Sequence, residues 1–88
     1  MATKETAERL ERGIAQGLTF LIAHRDGRFL QRGSRIDSPA WGGLDGAETF
    51  DGYMAHANSQ MLWPEVGFFP KTVSVRHALN TEQTNQTT

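Results

Sequence analysis

The residues able to do chemistry are few and scattered. His24, His56 and His77 are the three histidines, and no two of them stand at a zinc-motif spacing. Each therefore reads as a hydrogen-bonded structural residue rather than a metal ligand. The chain contains no cysteine, which excludes disulfides, thiolate zinc sites and cysteine nucleophiles together. Ser34, Ser38, Ser59 and Ser74 sit in no nucleophile-elbow context. Asp45, Glu48 and Asp51 are spaced i, i+3, i+6, which suits either an acid–base pair or the capping of a helix start. The stretch GGLDG shares only its glycines with a phosphate-binding loop, since it lacks the lysine and its neighbouring acids repel phosphate. No catalytic, metal or cofactor site can be assembled from these groups, and the expectation is a protein that is not an enzyme.

Binding chemistry is better represented. Arg25, Arg28, Arg32 and Arg35 fall within eleven positions and are opposed there only by Asp26. From Ile36 to Pro70 there is no Lys or Arg, while Asp37, Asp45, Glu48, Asp51 and Glu65 appear. A net charge of -1 thus conceals a basic segment followed by an acidic one. The two either neutralise each other in the fold or leave the arginines facing a partner. Trp41, Trp63, Phe68 and Phe69 all stand beside Gly or Pro, where an aromatic side chain either closes the core or anchors an interface. Phe68 and one tryptophan are assigned to the core. Trp41, flanked by Gly42 and Gly43, is the better candidate for exposure.

The elements that position these residues follow from pattern. Thr3 can cap a helix from about Lys4 to Gln16, with Glu5–Arg9 and Glu8–Arg12 as i,i+4 pairs and Ala7, Leu10 and Ile14 as its apolar stripe. Leu18 to Arg25 reads as a strand, and Asp26-Gly27 suits a two-residue type I′ turn. That turn pairs Arg25 with Arg28 and His24 with Phe29. It places Phe20, Ile22, His24 and Phe29 on the core face, with Arg25, Arg28 and Arg32 together on the other. After a loop, Asp45 and Glu48 form a capping box for a second helix with the stripe Ala47, Phe50, Met54, Ala57 and Met61, ending at Trp63-Pro64. Lys71 to Leu79 alternates as a third strand. Residues 80–88 are a polar tail expected to be disordered. The fold expected is α+β: a single small domain over residues 1–79, helix-hairpin-helix-strand, with a three-stranded antiparallel sheet in the order 2-1-3.

The N-terminal segment has charges throughout and does not read as a signal peptide, and no window approaches the roughly 20 apolar residues of a membrane span. Together with the absence of cysteine this gives a soluble, cytoplasmic expectation. The residues Asp26, Gly27, Phe29, Leu30, Trp41, Leu44, Ala47 and Phe50 trace a strand, a DG turn, a second strand and a Trp-led helix start. In this the chain resembles small phage- and prophage-encoded accessory proteins, some of which are anti-CRISPR proteins. The resemblance implies an inhibitor that binds a host defence complex and blocks it sterically. That group is diverse in fold, so it lends no functional residue.

The leading expectation is a non-catalytic protein-binding module. It uses Arg25, Arg28, Arg32, Arg35 and Trp41 against a protein partner with an acidic surface, because the arginine fork matches carboxylates. A nucleic-acid-binding basic hairpin is the second reading, weakened because no stacking aromatic shares the arginine face and neither helix is basic. A structural homodimer is the third.

Overall fold

In the computed structural model, which describes residues 3–35, 37–67 and 70–87, Thr3 caps the first helix as its position predicts. Its hydroxyl accepts from the Thr6 amide, and α1 runs Lys4–Ala15. Gly17, at φ +89°, then turns the chain out of the helix. Four strands follow: β1 (Phe20–Ala23), β2 (Phe29–Leu30), β3 (Trp41–Gly42) and β4 (Lys71–Ser74). They form an antiparallel sheet in the order β3-β2-β1-β4. Helix α2 is Gly52–Val66 and helix α3 is Val75–Thr87. The fold is α+β, with three helices among the described residues. The expected order of hairpin and last strand is present, but the sheet has four strands rather than three. The addition, Trp41–Gly42, lies in the stretch read as loop, and two residues with two glycines after the tryptophan carry no alternation to detect.

The hairpin register differs from the expected one by a single residue. Ala23, not His24, is the partner of Phe29. A type I′ turn needs positive φ at both Asp26 and Gly27, and only Gly27 has it, at +93°. The loop is Arg25-Asp26-Gly27. The His24 amide donates to the Arg28 carbonyl (2.8 Å) and the Gly27 amide to the His24 carbonyl (3.0 Å). The extra residue lets the Asp26 carboxylate accept from the Arg28 amide (3.0 Å) and from Arg28 Nε (2.8 Å).

A one-residue slip moves every side chain of one strand to the other face. Phe29 therefore joins Leu21, and Leu30 joins Ile22. Both faces are core. Leu21, Val75, Ala78 and Leu79 bury against Leu10 of α1 on one side, together with Leu44 and Ala47. Ile22, Leu30 and Leu62 form the smaller cluster on the other, with Trp41 and Phe50 packed on it. Beyond the turn β1 and β2 part, and the segment Ala47 to Phe50 fills the gap as extended chain. The Glu48 amide donates to the Leu30 carbonyl (2.9 Å), and Phe50 exchanges both amide bonds with Phe20 (2.8 and 2.9 Å).

That segment corrects the second helix. Asp51, not Asp45, is its N-cap, accepting from the Met54 amide at 2.7 Å. Ala47 and Phe50 precede the helix. Its buried stripe is Ala55, Ser59 and Leu62, while Met54 and Met61 are exposed. Pro64 lies in the last turn, and the helix continues past it to Gly67, whose φ of +75° makes the cap. The third expected strand is likewise half helix. Ser74 Oγ accepts from the His77 amide (3.4 Å), and Val75, Ala78 and Leu79 then bury at i, i+3, i+4. Val73 and Val75 fit a period of two, but the residues after them do not. The backbone of residues 80–87, read as tail, continues α3. Arg76 donates to both carboxylate oxygens of Glu11 and ties α3 to α1, which holds Arg76 above its ordinary pKa. Phe68 and Phe69 lie outside the described residues.

Candidate functional site

The structure does not assemble the arginine patch expected from the hairpin. With His24 and Arg28 opposite one another, Arg25 falls in the loop and is not part of the strand row with Arg28 and Arg32. Arg28 closes an ion pair with Asp26 at 2.8 Å. Arg35 stands apart, paired with Asp37 at 3.4 Å. Trp41, expected to be exposed, is half-buried, with its ring edge-on to His24 at 5.2 Å between centroids. Trp63 is the more exposed tryptophan, at 54%. His56 and His77 are exposed on α2 and α3, and among the described residues no three His, Asp or Glu side chains gather as metal ligands.

The hairpin turn carries its own pH dependence. The Arg28 amide, then its guanidinium, hold the Asp26 carboxyl below its ordinary pKa. A carboxyl depressed on folding contributes stability above its unfolded pKa and loses it as the pH falls through the folded value. The turn is therefore expected to loosen below about pH 4. An NMR pH titration should show the Arg28 amide moving towards its random-coil shift over that range, and Asp26→Asn should flatten the transition. An unchanged Arg28 amide down to the acid limit would count against the bond.

Arg32 finds different company. Where the chain leaves β2, its amide donates to the Gly46 carbonyl (2.8 Å), and its side chain lies on the α1 side of the molecule. There Arg9 and Arg12, three apart on one helix face, line with it an open groove of about 340 Å³ whose other walls are Glu5, Thr6 and Asp45. Asp45, expected as the cap of the second helix, instead braces α1. Its Oδ1 accepts from Thr6 Oγ1 (3.0 Å) and from the Thr3 amide (3.4 Å), and its carbonyl accepts from Arg9 Nη2 (3.2 Å). The carboxylate thus sits at the positive end of the α1 dipole, bound to two donors.

The electrostatics of the groove follow. Partial burial of the Arg9 guanidinium, then repulsion from Arg32, lower its pKa; Glu48 and Asp45 oppose this, and Arg12 adds to it. Arg9 remains charged at neutral pH all the same. Three guanidinium groups therefore line a concave site together with the carboxylates of Glu5 and Asp45, the latter already bound to Thr6 Oγ1 and the Thr3 amide. A guanidinium group has the geometry for bidentate contact with an oxyanion. Arg9 and Arg12 escaped the sequence reading because both were explained as i,i+4 partners of Glu5 and Glu8. Arg9 turns instead to Asp45, which is brought in from 36 residues away.

A second cleft, about 260 Å³, lies over Leu30, Phe50 and Leu62, with Arg35, Glu48 and Asn58 on its rim. No helix of the described residues is long and apolar enough to cross a membrane. No protein-family model, curated protein or solved structure matches this chain.

Proposed function

We propose that the protein is a non-catalytic binding module that docks an acidic protein surface through the groove of Arg9, Arg12 and Arg32. The observation that carries the reading is the convergence of these three guanidinium groups on one open concavity, which a carboxylate from outside would complement. Arg28 and Arg35, held by their own aspartates, stand outside this groove. Steric block of a host defence complex such as a CRISPR effector, the role implied by the resemblance to small phage proteins, is the biological use we propose, and it places the protein in the cytoplasm of the host cell.

Titration of the labelled protein with a glutamate-rich peptide tests the chemistry. The Nε–Hε resonances of Arg12 and Arg32 are expected to shift. Arg12→Glu with Arg32→Glu should weaken binding by roughly a hundredfold or more, each arginine accounting for roughly tenfold in affinity, the worth of a charge-assisted hydrogen bond. Arg9 is left intact in this variant because it also braces Asp45. A parallel titration with a DNA duplex and a single strand separates the readings. Nucleic acid that shifts the same resonances with a steep salt dependence, where the peptide does not, would transfer the groove to phosphate backbones. Silence in both titrations would end the proposal. In cells, protection of phage from CRISPR interference that survives the double charge reversal would sever the groove from the inhibitory role.

A further inference from the structure

Helix α2 buries Ala55, Ser59 and Leu62 and leaves the opposite face bare. At 3.6 residues per turn, Met54, Ala57 and Met61 align along that face with Tyr53 beside them. Tyr53 is 81% exposed, Met54 45% and Met61 56%. Among the described residues the other large apolar group exposed to this degree is Trp63, on the same helix. From Gly52 to Pro64 there is no Asp, Glu, Lys or Arg. An acidic or basic partner would find nothing to pair with here. A helix that lies on a lipid surface carries Lys or Arg on its polar flank, and α2 has none. A second copy of the same chain has no such requirement. On a two-fold axis a charge meets its own like, so a stripe with no charge at its centre suits self-pairing.

The order of residues along the stripe gives the geometry. Met54 and Met61 are placed almost evenly on either side of Ala57. In an antiparallel pair whose axis passes near Ala57, Met54 of one copy lies over Met61 of the other, twice, and the small side chain at the crossing lets the helices approach. We propose that α2 is a homodimer interface of this antiparallel form. The edge strand β4 is poorly suited to self-pairing by comparison: it is four residues long and begins with the exposed Lys71. A helix of 15 residues spans about 22 Å. One such helix per copy gives an interface at the low end of the size range, below about 1,200 Å² in total. The dimer should therefore assemble at micromolar rather than nanomolar concentration.

The test is sedimentation of the wild-type chain from about 1 to several hundred micromolar, together with three variants. The wild type is expected to pass from the monomer mass to twice that mass across this range. Met54→Glu and Met61→Lys, both at exposed positions, should each remain monomeric with unchanged helix content by circular dichroism. Combining the two substitutions sets each new carboxylate over a new ammonium of the other copy and should restore the dimer. A wild type that stays monomeric throughout overturns the proposal, and one that instead binds zwitterionic phosphatidylcholine vesicles reassigns the face to lipid. Dimers that persist in both single variants place the interface elsewhere. A double variant that stays monomeric rejects the antiparallel pairing.

Discussion

Leu10→Ala is expected to cost about 3 kcal/mol of folding stability, the mid-range for a large apolar side chain deleted from a closed core. Leu10 is fully buried and is the residue by which α1 enters the cluster of Leu21, Leu44, Val75, Ala78 and Leu79. Its neighbours on the stripe, Ala7 and Ile14, are only half covered. Among the apolar side chains of α1 it is the one that is fully buried. A domain of 88 residues has a total stability of roughly 4–13 kcal/mol, so the loss is a large share of the whole. In thermal denaturation it should appear as a fall in Tm of about 12–24 °C. Leu10→Met keeps the volume and should cost less than about 1.5 kcal/mol. If Leu10→Ala loses under 1 kcal/mol, α1 is not docked as described, and the cationic groove, which depends on that docking, goes with it.

Gly46→Ala is expected to be the more specific lesion. A Cβ at Gly46 would stand 2.1 Å from Gln31 Oε1. The Gln31 amide is not free to swing aside without loss, because its Nε2 donates to the carbonyls of Phe29 (3.0 Å) and Gly43 (2.9 Å). Moving it forfeits both bonds, about 1 kcal/mol each, for a total near 2 kcal/mol. Gly43, the residue that caps the 3-10 turn at Leu44–Gly46, has nothing within 4 Å of a built Cβ. Gly43→Ala should therefore change stability by no more than about 0.5 kcal/mol. The pair Gln31→Ala and Gly46→Ala makes a double-mutant cycle. Once Gln31 is truncated the clash vanishes, so the double variant should be no less stable than Gln31→Ala alone. Additive losses in urea denaturation would show that the contact does not exist.

Much of the scaffold was legible because local chemistry decides it. Thr3 caps α1 because a hydroxyl three residues ahead of a free amide has one favourable thing to do. The central place of β1 follows from apolar residues on both its faces, and the neighbours expected for it are those it has. What misled was degeneracy. An Asp-Gly pair serves a two-residue or a three-residue loop, and the choice falls to bonds that Asp26 makes with Arg28 after the chain has turned. Asp45 and Asp51 are equally good caps by type, and only the extended segment between β1 and β2 decides that the helix waits for the second. Val73 and Val75 satisfy a strand period before Val75, Ala78 and Leu79 satisfy a helical one.

The candidate site was the least legible part because it is tertiary throughout. Arg32 was singled out from sequence, but its company was not. The groove draws Arg9 and Arg12 from α1, Arg32 from the end of β2 and Asp45 from the 3-10 turn, and no local rule brings these together. The single-residue slip in the hairpin accounts for the rest. It converts a proposed row of three arginines into one loop residue, one ion-paired residue and one member of a different cluster.

The pairing of β1 with β4 has a consequence for how the protein is made. Phe20 to Ala23 are matched to residues 71–74, about fifty positions further along, whereas the hairpin partner arrives within ten. At a synthesis rate of roughly 5–20 residues per second, one edge of β1 waits on the order of 3–10 s for its neighbour. During that interval the ribosome holds out a strand of Phe, Leu, Ile and Ala with its amides and carbonyls unclaimed on one side, the arrangement most prone to pair with another chain. The yield of folded protein should therefore depend on how crowded nascent chains are, and on holdase chaperones that cover β1 until β4 emerges.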